Sequence, residues 1–153
     1  METARTITIR RGAPGDIDAI LPLVGGYRVF YEQPPDADRE RAFMESHVRD
    51  RTSVVYLAHV DDQAAGFVQL FKIYSTVHLE PCWILEDLFV AEEFRNRGVA
   101  GALLARGLQH AVDDGAAGMF LETAHDNVAA QALYEKSGWK RETRFIKYNA
   151  PLP

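Results

Sequence analysis

Two kinds of hydrophobic pattern follow one another along the chain, and their order predicts strands interleaved with helices. Apolar runs and alternating apolar and polar positions are typical of strands, whereas apolar residues three or four apart are typical of one helix face. The alternation over 7–10 predicts the first strand, and Ile17, Ile20 and Val24 predict a helix that ends before Pro34. The remaining predicted elements are a helix over 36–50, strands over 53–60, 66–77 and 83–90, a helix over 97–113, a strand over 119–123, a helix over 127–136 and one or two final strands over 139–148.

This order of elements predicts a single α/β domain that spans residues 1–153. Strands that alternate with helices form layers in which helices cover the faces of a sheet. No internal repeat, low-complexity segment or linker interrupts the pattern. A chain of 153 residues is long enough to bury a substantial core.

The composition excludes several classes of protein. Hydrophobic residues make up 47% and charged residues 25%, which is ordinary for a globular domain. No apolar run approaches the roughly 20 residues of a membrane span, and the first five residues contain no apolar signal region. We therefore expect a cytoplasmic protein that is not bound to a membrane. Seventeen basic and twenty-two acidic side chains give a net charge of -5, which argues against nucleic-acid binding and favours a cationic substrate.

Cysteine and histidine usage points away from redox and metal chemistry. The one cysteine, Cys82, lies in an apolar segment and cannot form an internal disulfide. Such a cysteine is typically a small buried hydrophobe, although a nucleophile stays open as an alternative. The histidines show no His-Glu-x-x-His or i,i+4 spacing, so we expect no metal cofactor. They are His47, His59, His78, His110 and His125.

A basic turn between a strand and a helix is the strongest chemical signal in the sequence. The buried strand before residue 91 is followed by Arg95-Asn96-Arg97-Gly98-Val99-Ala100 and then by a helical pattern. The first N–H groups of a helix lack partners and carry a partial positive charge. Small residues leave those N–H groups uncovered, and arginines add forked donors. A solvated loop is the alternative, but the flanking strand and helix favour a diphosphate site.

Two adjacent carboxylates interrupt the apolar strand before this turn. Strict alternation would place Glu86 on the face of Val90 and would place Asp87 on the face of Leu85 and Phe89. The two carboxylates would then point to opposite sides and could not form an acid dyad. Burying a carboxylate is costly unless it is paired, so each either satisfies nearby backbone or an arginine, or serves a function.

An aromatic segment follows the first helical pattern. Tyr27, Tyr31 and Glu32 either belong to a buried aromatic stripe or form the wall of an amine pocket, because aromatic faces and a carboxylate attract cations. The residue pattern leaves both interpretations open.

Together these motifs resemble the GNAT family of acetyltransferases. Arg95-x-x-Gly98-x-Ala100 matches that family's signature for binding acetyl-coenzyme A (acetyl-CoA), and the strand over 85–90 is similar to its fourth strand. Asn127-x-x-Ala130-x-x-Leu133-Tyr134 also matches a family pattern. The likeness covers nearly the whole chain and is strongest to small bacterial members related to histone, polyamine and diamine acetyltransferases.

The resemblance implies a fold and a set of site residues. The fold is a mixed, mostly antiparallel twisted sheet whose central strands splay apart and whose faces are covered by helices. The acceptor site would lie beside the first helix. Acceptor-binding residues would be Tyr27, Tyr31, Glu32, Glu86 and Asp87. Residues that bind acetyl-CoA would be Phe89, Val90, Arg95, Asn96, Arg97, Gly98, Val99, Ala100, Asn127, Ala130 and Tyr134.

The resemblance also assigns catalytic roles. An alkyl amine with a pKa near ~10.4 is almost fully protonated at neutral pH, so a base must remove its proton before it attacks. Glu86 matches the residue proposed as that base in polyamine acetyltransferases. Tyr134 matches the tyrosine that approaches the sulfur, and its phenol would donate a proton to the departing thiolate. A buried core tyrosine is the alternative for Tyr134.

The expected activity is direct transfer of acetyl from acetyl-CoA to a primary amine. A small cation such as a diamine, polyamine or lysine-like amine is the expected acceptor. A peptide or protein amine is the alternative within the class, and a silent acyl-CoA-binding regulator is the alternative outside it. Analogy with small family members predicts a homodimer.

Overall fold

The computed structural model describes residues 5–153, so the first four residues of the N-terminal stretch assessed for a signal region lie outside it. One compact unit runs to Glu122, and a second extends from Thr123 to Pro153. The prediction of a single domain stays a prediction. The elements in chain order are β1 (Ile7–Arg11), α1 (Ile17–Phe30), α2 (Ala37–Asp50), β2 (Val54–Val60), β3 (Gln63–Ser75), β4 (Glu80–Val90), α3 (Val99–Asp113), β5 (Gly118–Phe120) and α4 (Val128–Lys136).

The first unit is built on a five-stranded sheet in the order β1-β2-β3-β4-β5. The first four strands pair antiparallel, and β5 pairs parallel with β4. The predicted mixed, mostly antiparallel sheet flanked by helices is therefore confirmed. Parallel pairing requires a crossover, and α3 supplies the connection between β4 and β5.

Helices cover both faces of this sheet. Ile20 of α1 packs with Leu57 and Phe67 in the buried cluster on one face. Gly107 of α3 packs on Leu70 and Leu85 on the other face. Phe67 and Leu70 are three residues apart in β3, and alternation places them on opposite faces. Apolar side chains thus fill both layers between helix and sheet.

A β-bulge in β4 changes the direction in which its side chains point. Gln69 of β3 pairs with Asp87, but the next residue of β3 pairs with Leu85, so Glu86 has no partner in the ladder. An extra residue in one strand shifts the alternation of all that follows. Leu85 faces α3, whereas Asp87 and Phe89 face α1. The prediction that Asp87 shares a face with Leu85 is therefore wrong.

The first helix continues through a pair of glycines, at which helix propensity predicts a bend or an interruption. α1 runs through Gly25 and Gly26 and ends at Phe30, before the proline pair. A side chain at Gly26 would place its Cβ 3.0 Å from the ring of Phe89, so glycine is needed there for close approach of the helix to β4. Packing therefore explains this glycine better than a bend does.

The C-terminal prediction of one or two strands over 139–148 is wrong. Residues 139–153 form no strand, and Phe145, Ile146 and Tyr148 are largely exposed. Alternation alone cannot make a strand, because a strand exists only through hydrogen bonds to a neighbour. β5 is also shorter than predicted and ends at Phe120.

Within residues 5–153, no helix is long and apolar enough to cross a membrane. The cytoplasmic location stays a prediction.

Candidate active site

The basic turn forms an open cradle of backbone N–H groups at the start of α3. Gly98 is the N-cap residue with φ of 83°, a left-handed conformation that glycine adopts without strain. Ala102 donates to the Gly98 carbonyl as the first helical hydrogen bond. The N–H groups of Val99, Ala100 and Gly101 precede it, and no described group accepts from them. Apart from its two chain neighbours, no residue in the described part of the chain lies within 4 Å of where a Cβ on Gly98 would be, so an anion can approach this backbone.

The two arginines of the turn have different surroundings. Arg95 donates from Nε to the Val90 carbonyl at 3.0 Å, and its guanidinium lies 5.7 Å from the Phe89 ring centre. Arg95 therefore ties the turn back onto the end of β4 with part of its donor set. Arg97 lies 5.8 Å from the Phe94 ring and is exposed. Asn96 between them takes φ of 59° and is also exposed.

The strand before the cradle has an open edge where the resemblance implied that strands splay. β5 pairs with β4 only from Cys82 to Ile84. Beyond Ile84, within the described part of the first unit, β4 pairs with β3 alone. The side chain of Val90 packs toward α3 beside Leu103, so Val90 can offer a ligand only its backbone. On the side away from β3, the backbone of 85–89 therefore has no strand partner within the described part of the first unit, and the Val90 carbonyl there accepts from Arg95.

The two carboxylates on this segment have different environments. Glu86 is the bulge residue and is exposed. Asp87 is half-buried, accepts a hydrogen bond from Gln69 Nε2 at 2.7 Å and is also hydrogen-bonded by Tyr27. Burial raises the pKa of Asp87 from its ordinary value of 3.8 to about 6, and the neighbouring charge of Glu86 acts in the same direction.

Two residues of this network were not predicted from the sequence. Gln69 and Ser53 are buried, and Ser53 Oγ donates to Gln69 Oε1 at 2.8 Å. The signal was present in the sequence, because a glutamine interrupts the apolar run of the third strand just as Glu86 and Asp87 interrupt the fourth. Only the ladder between the strands shows that Gln69 and Asp87 face each other.

The aromatic residues assemble beside Asp87. The Tyr27 ring lies 5.1 Å from Tyr31, 6.0 Å from Phe67 and 5.8 Å from Phe89. Tyr27 is half-buried and Tyr31 is exposed, so the cluster joins the core to the surface. The buried aromatic stripe is therefore present in part, and the amine pocket stays a prediction.

Glu32 is the one predicted acceptor-binding residue that stands apart. It is exposed, takes φ of 57° at the end of α1, and no described contact joins its side chain to Asp87 or Tyr27. Of the predicted wall of Tyr27, Tyr31 and Glu32, the structure therefore brings the two tyrosines together, and Asp87 lies beside Tyr27.

The second unit carries the remaining predicted residues. Asn127 is the N-cap of α4, and its Oδ1 accepts from the Ala130 N–H at 3.3 Å. Tyr134 lies two turns further on, and its ring centre is 6.4 Å from that of Trp139. Asn127, Ala130 and Tyr134 are half-buried on one face of this short helix. Gly138, with φ of 90°, follows the end of the helix.

No metal-binding cluster of His, Cys, Asp or Glu occurs among residues 5–153. Cys82 is half-buried and free.

Comparisons with known proteins agree with this geometry. The sequence profile described as "Acetyltransferase (GNAT) family" matches residues 19–139. The chain is 35% identical to the uncharacterized N-acetyltransferase YhfO of Bacillus subtilis over 96% of this chain and 99% of that protein. A crystal structure of a probable acetyltransferase is 36% identical, with a TM-score of 0.91 over 95% of this chain and 98% of that one. The aminoglycoside N-acetyltransferase AAC(6')-Iy in complex with CoA is 22% identical, with a TM-score of 0.83 over 99% of both chains, and shows the same fold.

The cradle at the start of α3, the open edge of β4 and the match over most of the chain converge on one assignment. The chain belongs to the GNAT family of acetyltransferases and is an acetyl-CoA-dependent N-acetyltransferase.

Proposed function

We propose that this protein transfers acetyl directly from acetyl-CoA to the primary amine of a small cation, through a complex that holds both substrates. One observation carries the proposal: Phe89 contacts Arg95 of the turn and Tyr27 beside Asp87. A single side chain of β4 thus links the anion-binding cradle to a half-buried carboxylate on the acceptor side.

The cradle fits the diphosphate of acetyl-CoA. Three uncovered N–H groups, a helix dipole and the exposed Arg97 provide donors and positive charge for phosphate oxygens. The open edge of β4 would hydrogen-bond the pantetheine arm, and an N–H near Phe89 or Val90 would donate to the acetyl carbonyl oxygen. The family resemblance implies that Asn127, Ala130 and Tyr134 also bind acetyl-CoA.

Proton transfer is assigned to two residues. Glu86, exposed beside the open edge, would take the proton from the acceptor ammonium, directly or through water. The amine nitrogen would then form a bond to the acetyl carbon while the carbon–sulfur bond breaks. Tyr134 would donate its phenolic proton to the departing thiolate, and the phenolate would regain a proton from the one that the acetylated nitrogen loses as the amide forms, directly or through water. No acetyl-enzyme forms in this scheme, because the amine attacks the thioester itself.

The acceptor class follows from charge and shape. A net charge of -5, a half-buried carboxylate and an aromatic cluster favour an ammonium group over an anion. This supports kinship with the polyamine and diamine acetyltransferases within the family. We also propose that the protein is a homodimer, since exposed apolar residues such as Phe145 and Ile146 on the C-terminal segment favour contact with a second copy.

The first test is calorimetry with acetyl-CoA, followed by thiol release against a panel of amines and a basic peptide. Binding together with release by one small diamine would support the proposal. Binding without release by any small amine would move the assignment to peptide acceptors or to a silent regulator. No binding would overturn the cradle assignment.

A charge reversal sharpens this test. Arg97→Glu should weaken acetyl-CoA binding at least tenfold, because an opposing charge replaces a phosphate donor. Arg49→Glu on α2 is the matched control, since that arginine is also exposed and pairs with its neighbour Asp50. Equal losses in both variants would show a general charge effect and contradict a site at the turn.

A further inference from the structure

Gln69 is a polar side chain in the middle of a buried strand. It is 2% exposed, between Val68 and Leu70, which are fully buried. A buried amide is costly unless both its ends are hydrogen-bonded. Here both ends are bonded, since Oε1 accepts from Ser53 and Nε2 donates to Asp87. An apolar residue would fill the same space, so the amide calls for a reason other than packing.

The order of donors and acceptors along the hydrogen bonds from Ser53 to Gln69 to Asp87 suits a charged Asp87. A carboxylate only accepts hydrogen bonds, so it requires the Nε2 end of the glutamine amide. Ser53 donates to the Oε1 end and thereby keeps the amide from turning over. Tyr27 supplies a second hydrogen bond to Asp87 from α1. Two neighbours on different elements therefore fix the carboxylate in one orientation.

The bulge at Glu86 brings Asp87 to the face that α1 covers. There Asp87 lies beside Tyr27 and on the same face as Phe89. The rings of Tyr27 and Phe89 contact each other. We propose that Gln69 is a positioning residue that holds the Asp87 carboxylate toward the acceptor, so that Asp87 binds the ammonium group of a cationic amine. This inference rests on the proposed transfer of acetyl to such an amine.

The direct test observes the Asp87 carboxyl carbon by NMR while putrescine is added to the whole protein, with Asp87→Asn used to assign the signal. We expect the Asp87 signal to move with putrescine in the wild type. In Gln69→Met, which conserves volume but removes the donor, half-saturation should need about tenfold more putrescine, the effect expected when a hydrogen bond to a charged group is lost. Gln69→Leu, which is also apolar and lacks the donor, should act in the same direction if the methionine variant folds poorly.

Steady-state kinetics separates positioning from a general structural effect. The KM for putrescine should rise about tenfold in the Gln69 variants, while the KM for acetyl-CoA stays within about twofold. Gln109→Met is the matched control, because Gln109 also donates from Nε2 to an aspartate at 2.7 Å, but on the exposed side of α3. That control should leave both values unchanged.

The outcomes distinguish this inference from the proposed reaction. If the Asp87 signal responds to putrescine but no thiol is released, the proposed transfer to this amine is refuted and the Gln69–Asp87 site is retained. Thiol release with an unresponsive Asp87 signal would overturn the site and leave the transfer standing. Equal rises in both KM values would show that Gln69 has only a structural role.

Discussion

Replacement of Asp87 by asparagine is expected to stabilise the protein at neutral and alkaline pH. The carboxyl is half-buried, and burial raises its pKa from 3.8 to about 6. At a pH between 3.8 and about 6, the Asp87 carboxyl holds a proton in the native state that it has lost in the unfolded chain. The free energy of unfolding therefore falls as the pH rises from about 4 to above 6.

The size of the effect follows from the same two values. The difference between 3.8 and about 6 corresponds to about 3 kcal/mol of stability that is present at acid pH and lost above pH 6. Asparagine carries no charge at any pH, and its carbonyl oxygen can still accept from Gln69. Asp87→Asn should therefore be more stable than the wild type by roughly 1–3 kcal/mol at pH 8, and the two should match near pH 4.

Urea unfolding at both pH values measures this difference. Asp114→Asn is a control of opposite sign, because the hydrogen bond from Lys72 at 2.9 Å lowers the pKa of Asp114. That variant should be less stable than the wild type at pH 8, and the deficit should shrink as the pH falls below the ordinary aspartate value. Two results would contradict this reasoning. One is that Asp87→Asn is no more stable than the wild type at pH 8, and the other is that its gain in stability is the same at pH 4 and pH 8. Either result would show that burial does not raise the pKa of this carboxyl.

Two further predictions concern the proposed catalytic residues. Glu86→Gln should lower kcat by about 10²–10⁴-fold with an amine acceptor, because the proton acceptor is lost, while its stability changes by less than about 0.5 kcal/mol since the side chain is exposed. An unchanged rate of thiol release would remove Glu86 from the mechanism. Tyr134→Phe should lower kcat by at least about 10²-fold, with the deficit smaller at higher pH, where a thiolate needs no proton to leave. Normal turnover by this variant, measured beside its acetyl-CoA affinity, would assign Tyr134 to packing.

The cradle could be predicted from the sequence because its chemistry is local. A strand, a turn with Gly98 and a helix follow one another within a few residues, and the backbone of a helix start is the same wherever it occurs. The side chains were less predictable. The sequence gives no indication that Arg95 would donate a hydrogen bond from its Nε to the Val90 carbonyl.

The carboxylate pair shows where local pattern stops being sufficient. The sequence shows that two acids interrupt an apolar strand, but alternation placed Asp87 on the wrong side. A bulge depends on the register between β3 and β4, which is set by how two distant strands pair. The same ladder placed Gln69 against Asp87.

The sequence by itself thus determined the order of elements up to residue 136, the glycine turn at the start of a helix and the family, because periodicity, glycine conformation and helix starts are properties of neighbouring residues. Tertiary structure decided which carboxylate is half-buried, which face it occupies and which amide holds it. Those properties arise from contacts between residues far apart in the chain, whose geometry no short pattern contains.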